Sequence, residues 1–144
     1  MSEHRFCWAD LATVDDVRAG AFYAALFGWS PQPRTHAGGR FTLLENEGRQ
    51  LASLYRLAQA QVACGVPSHW LPYVSTPDLS ASVARAMALG GDVIVKSQSV
   101  PGLASVAVAV DPTGALFGLW QSDGLGKKQA NEARGDAPGA GGDR

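Results

Sequence analysis

Few side chains in this sequence can do chemistry, and they are scattered along it. Asp10 stands among apolar neighbours in Trp8-Ala9-Asp10-Leu11. Burial raises the pKa of a carboxyl group in such a setting and fits it for acid or base work. A solvated strand end, or a hydrogen bond to a neighbouring turn, accounts for Asp10 equally well. His69, just before Trp70, is a second candidate general base, or a linker histidine open to water. His36 lies in a glycine loop and His4 near the terminus, with no partner close by in sequence. Glu45 and Glu47 flank a hairpin turn and read as solvent-facing. Cys7 neighbours Trp8 and is expected on the opposite face of its strand, as a buried, inert thiol. Cys64, in Val62-Ala63-Cys64-Gly65, has no adjacent cation to activate it. Gly38-Gly39 and Gly90-Gly91 lack the strand, glycine loop and helix order of a phosphate-binding motif.

The elements that carry these residues repeat. Thr13–Gly28 and Thr76–Gly91 match at Thr13/Thr76, Asp15/Asp78, Ala21/Ala84, Ala25/Ala88, Leu26/Leu89 and Gly28/Gly91. Each stretch reads as a helix. An Asp stands at its start to cap free N–H groups, apolar residues recur at helical spacing, and a glycine ends it. An extended run precedes each helix, Phe6–Leu11 and Trp70–Val74. Three strand-like runs follow each: Trp29–Arg34, Arg40–Glu45 and Gln50–Leu57 in the first half, Asp92–Ser97, Ala104–Val110 and Ala115–Gln121 in the second. Turn residues such as Asn46-Glu47-Gly48 and Asp111-Pro112-Thr113-Gly114 separate them.

The boundaries expected are one domain over 1–121, with module one at about 5–57, a linker at 58–68 and module two at about 69–121. The segment 122–144 is glycine-rich and lacks aromatic residues, so a flexible tail is expected there, with at most a marginal helix around Lys127–Arg134. The whole chain has 144 residues, 46% of them hydrophobic, and 12 basic against 13 acidic residues. That length can bury a core. The balanced charge gives no basic field, so no nucleic-acid partner is expected. No apolar run approaches the ~18 residues that cross a bilayer, so no membrane partner is expected either. Two cysteines are too few for a disulfide framework. A cytoplasmic protein is the expectation.

The strand, helix, three-strand unit given twice resembles the vicinal oxygen chelate superfamily of glyoxalase, bleomycin-resistance and extradiol dioxygenase proteins. Phe22-Tyr23-Ala24-Ala25-Leu26-Phe27-Gly28-Trp29, Ala88-Leu89-Gly90-Gly91 and Asp111-Pro112-Thr113-Gly114-Ala115-Leu116-Phe117 carry the resemblance. The start Trp8-Ala9-Asp10-Leu11 is closest to a glyoxalase-like branch. The fold implied is α+β: two tandem βαβββ modules form a cupped, curved mixed sheet with the helices outside. The cup is where the family holds a ligand or a metal.

Metal-using members supply His, Gln or Glu from the first and last strands of each module. Carried onto this sequence by spacing from Asp15, Asp78, Asp111 and Gly48, those four positions are Trp8, Leu71 or Pro72, Gly118 and Ala52. None binds a metal through its side chain, so no metal and no cofactor are expected. Small Ala52 and Gly118 leave room in the cup, and Trp8, Tyr55, Trp70, Tyr73 and Trp120 can line it, unless they are core alone. With Asp10 these make the expected ligand site for a flat or amphipathic small molecule. The resemblance further implies a homodimer. Its two functional readings are a metal-free small-molecule binder and a glyoxalase-like lyase, isomerase or dioxygenase acting on a small carbonyl or aromatic substrate, with Asp10 and His69 as its candidate catalytic groups.

Overall fold

The computed structural model describes residues 4–36 and 39–123; the expected tail lies outside them from residue 124 onward. Strand β1 (Phe6–Thr13) leads to helix α1 (Asp16–Phe27) and strands β2 (Ser30–His36), β3 (Gly39–Asn46) and β4 (Arg49–Arg56). A short helix, α2 (Gln59–Ala63), occupies the stretch read as linker. The second module follows as β5 (His69–Ser75), α3 (Leu79–Ala88), β6 (Asp92–Val100), β7 (Ala104–Val110) and β8 (Leu116–Ser122). The eight strands form one curled mixed sheet, ordered β2-β3-β4-β1-β5-β8-β7-β6. The α+β fold of two βαβββ modules is therefore the fold observed.

The helix starts show how the repeat works. Asp15 accepts a hydrogen bond from the Arg18 amide at 3.0 Å, and Asp78 accepts one from the Ala81 amide at 3.1 Å. The Thr two residues before each Asp takes the Asp amide on its own hydroxyl, at 3.2 Å in both copies. Free N–H groups at both helix starts are thus satisfied by the same Thr-x-Asp device. The ends differ. Gly28 closes α1 in the left-handed conformation (φ 77°). In the second copy Gly90, not the aligned Gly91, has positive φ. Gly91 is needed for space instead, since a Cβ there would lie 2.7 Å from the Val110 carbonyl oxygen.

Alternation along the strands divides the core into a convex, helix-covered face and a concave face. On the convex face Leu11, Leu44, Ala52 and Leu54 pack with Ala19 and Tyr23 of α1. Leu79, Ala107 and Leu119 pack with Val83 of α3 in the second module. β7 reads Ala-Ser-Val-Ala-Val-Ala-Val: Ala107 and Ala109 are fully buried and small, while Val106 and Val108 turn to the other side. On the concave face Leu71, Tyr73, Val106 and Trp120 form a core with Trp8 packed on it. At the seam β1 runs antiparallel to β5, each flanked by a parallel neighbour, β4 or β8. The concave ends of both modules meet there.

Candidate functional site

The concave face holds a cavity of about 260 Å³ at the seam, lined by Trp8, Asp10, Ser53, Tyr55, Tyr73 and Trp120 among others. Trp8 and Trp120 stack with ring centroids 4.8 Å apart and planes 24° apart. Tyr73 meets Trp120 edge-on at 5.9 Å. These are the offset and T-shaped arrangements that aromatic quadrupoles favour.

The polar part of the wall is one connected cluster. The Trp8 indole N–H donates to Ser53 Oγ at 3.0 Å, and Ser53 Oγ donates to Asp10 Oδ1 at 2.5 Å. Tyr73 donates its hydroxyl to Asp10 Oδ2 at 3.2 Å. Burial drives the Asp10 carboxyl above the ordinary carboxylate range, opposed in part by the Ser53 and Tyr73 hydrogen bonds. The Tyr73 phenol is pushed up by burial and by the Asp10 charge, and Tyr55 by the same two causes. Both phenols therefore remain protonated donors at neutral pH, facing one carboxyl that can accept a hydrogen bond or hold a proton.

Because the folded protein holds the Asp10 proton more tightly than the unfolded chain, the linkage has a definite sign. Its contribution to stability is complete below about pH 4 and is lost as pH rises through the raised folded value. Asp10→Asn is expected to flatten that decline, bringing the midpoint of thermal unfolding at neutral pH closer to its value at pH 4 than in the unsubstituted protein. Thermal melts of both proteins across that range check it.

Strand register determines which expected residues come together. Trp8, Asp10, Tyr55, Tyr73 and Trp120 converge on the cavity. Ala52 does not: it lies in the convex core with Leu11 and Leu44, and its neighbour Ser53 takes the concave position. Asp10 pairs with Ser53 across β1–β4 as Tyr73 pairs with Gly118 across β5–β8. Ser53 lies five residues past Gly48, but Gly118 only four past Gly114. The cause is the turns. Glu47 and Gly48, both at positive φ, make a two-residue hairpin. The Asp111 turn is longer, with the carboxylate accepting from the Thr113 and Ala115 amides. A one-residue slip sends a side chain to the other face.

Trp70 is likewise on the convex side, where its indole N–H donates to the Tyr23 hydroxyl at 3.1 Å. Pro72 is exposed and Leu71 buried in the concave core. Gly118 leaves no free room, because the Tyr73 ring lies over it: a Cβ there would overlap the ring carbons. His69 turns its Nδ1 to the Pro67 carbonyl, 2.9 Å away, and does not line the cavity. Cys7 is exposed rather than buried, as is Cys64. β1 is irregular between Phe6 and Trp8 where it pairs with β5, so strict alternation does not extend to Cys7. Sequence reasoning also missed Arg40 and Gln98, which reach the cavity from β3 and β6. Pairing across the sheet places them, and no local motif announces it.

The corrected metal positions are Trp8, Leu71, Ser53 and Gly118, which offer one hydroxyl oxygen and neither imidazole nor carboxylate. Asp10, the one carboxylate lining the cavity, is already bonded at both oxygens. Among the described residues no three His, Cys, Asp or Glu side chains cluster to hold an ion. This donor set does not fit the superfamily's metal.

Comparison with known proteins agrees with the fold. The model of the glyoxalase-like domain matches residues 8–120. The chain belongs to the glyoxalase-like domain family. Within it, this glyoxalase-like chain is 32% identical over 125 residues to the anthracycline biosynthesis protein DauV of Streptomyces sp. (strain C5), covering 79% of this chain and 46% of that protein. The glyoxalase-like chain thus spans about half the length of the curated relatives it matches. Among solved structures, methylmalonyl-CoA epimerase from Mycobacterium tuberculosis superposes with a TM-score of 0.65 at 16% identity, covering 87% of this chain and 91% of that one. The Mn(II)-bound glyoxalase from Novosphingobium aromaticivorans gives 0.58 at 17% identity, over 84% and 40%. At such identities they establish the shared vicinal oxygen chelate fold.

Proposed function

We propose that this glyoxalase-like domain binds a small, flat organic molecule in its aromatic cup, using its own side chains and no metal ion. The observation that carries the reading is the joining of a stacked Trp8–Trp120 pair to the Trp8–Ser53–Asp10–Tyr73 hydrogen-bonded cluster around one cavity. Aromatic walls with a few convergent polar groups are the usual makeup of a small-molecule site. The relative named for anthracycline biosynthesis favours a planar, polycyclic class of ligand.

Tryptophan emission titrated with a panel of planar aromatic compounds tests this. Binders are expected to quench or shift the emission through Trp8 and Trp120; a panel that leaves it unchanged contradicts the reading.

The reading includes a homodimer. β2 and β6 end the sheet as edges, and α1 exposes Val17, Phe22, Leu26 and Phe27. The reading also places the protein in the cytoplasm, a reducing compartment suited to its two free cysteines. Among the described residues no helix is long and apolar enough to cross a membrane.

A second reading, a glyoxalase-like isomerase, lyase or dioxygenase, is favoured by one feature: the Asp10 carboxyl beside the Tyr73 phenol could exchange a proton with a bound carbonyl compound. Turnover that is lost in Asp10→Asn while ligand affinity persists would select it.

A further inference from the structure

Resting on the reading of the cup as a ligand site, we infer that its ligand is bipartite: a flat head carrying a hydrogen-bond donor sits in the cup, and an anionic substituent extends past Arg40 in the cup wall to an adjoining shelf lined by Arg34.

The shelf is a second cavity of about 290 Å³, lined by Arg34, Thr35, Leu43, Gln50 and Pro101 among others. It shares Phe41 and Leu103 with the cup as a common wall. Each cavity alone falls below the roughly 300–1,000 Å³ of sites for drug-sized ligands, whereas the two together fall within it.

Their charges differ. The cup has both Asp10 and Arg40 in its wall, and the Asp10 oxygens keep acceptor capacity beyond their bonds to Ser53 and Tyr73 for a donor such as a hydroxyl group. Among the described residues the shelf is lined by Arg34 and by no acidic side chain. Arg34 pairs with Phe41 across β2–β3, and Arg40, the residue before Phe41, lines the cup, so one arginine belongs to each cavity on either side of their common wall. Both residues are exposed. Arg34 donates one N–H to the Pro33 carbonyl at 3.1 Å, and its remaining donors can take a carboxylate or a phosphate in forked fashion.

Calorimetric titration with 2-naphthol and with 6-hydroxy-2-naphthoate at low salt separates the alternatives. The two probes share a flat hydroxylated head and differ in the carboxylate. The naphthoate is expected to bind about tenfold more tightly, which corresponds to about 1.4 kcal/mol. That advantage should shrink as salt rises toward about 0.3 M. It should vanish in the Arg34→Gln/Arg40→Gln double variant and persist in Arg18→Gln, which removes one positive charge from α1. Equal affinities in the unsubstituted protein, or an advantage that survives the double variant, overturn the bipartite ligand while leaving the cup intact. If neither probe binds, the cup reading falls and this inference with it.

Discussion

Gly118→Ala is expected to cost about 3 kcal/mol of folding stability, measured by denaturant unfolding. The added methyl group would meet the Tyr73 ring at its Cγ and Cδ2 atoms, near the base of the ring rather than at a mobile tip. Tyr73 is buried, with Leu71, Val106 and Trp120 around it. Overpacking of this kind costs about 1–3 kcal/mol, and lifting the Tyr73 hydroxyl from Asp10 adds about 1 kcal/mol. The cause is specific, so its signature is non-additive. In a Tyr73→Ala background the ring is gone, and Gly118→Ala should become nearly neutral, a coupling of about 2 kcal/mol. Additive losses in the cycle would show that the glycine is needed for another reason.

Trp8→Ala should have the second large effect, on stability and binding together. The indole contributes the stack on Trp120 and the N–H that orients Ser53 toward Asp10. Its removal is expected to cost about 3 kcal/mol by denaturant midpoint, and to weaken 2-naphthol binding at least about tenfold by calorimetry. Trp8→Phe retains an aromatic face but not the N–H. It should recover most of the affinity, since the stack supplies the flat wall. Unchanged binding in Trp8→Ala would remove the indole from the site.

These two residues also show how far the sequence could be read. The two longer helices, their capping Asp residues and the succession of strands along the chain were legible because each depends on local periodicity and capping. Trp8 and Asp10 were legible as a pair, since residues two apart in a strand share a face. Gly118 was found as a position but misread as empty space: whether a glycine leaves a hole or seats a neighbour depends on the strand beside it, here Tyr73 on β5. Ala52 was chosen over Ser53 because the two hairpin turns differ in length. Trp70 has the composition of a ligand wall, yet its place in β5 turns it toward Tyr23. Arg34 and Arg40 carried no signal at all; only the folded sheet brings one to the shelf and the other to the cup.

The same register decides which residues stand at the positions where the resemblance places metal ligands. In this chain the positions that ligate elsewhere in the superfamily hold an indole, a leucine, a serine and a glycine. Ser53 and Trp8 belong to a hydrogen-bonded cluster centred on Asp10. The glycine admits the phenol that completes it. Among the described residues, every buried side-chain polar atom has a partner. The arrangement is therefore a satisfied polar wall.

Titration calorimetry of 2-naphthol into protein stripped with a chelator, repeated after adding Ni²⁺, Zn²⁺, Mn²⁺ or Fe²⁺, tests the account most directly. The prediction is saturable binding to the stripped protein, with an affinity that no added ion changes. Binding that appears only once an ion is restored would contradict it.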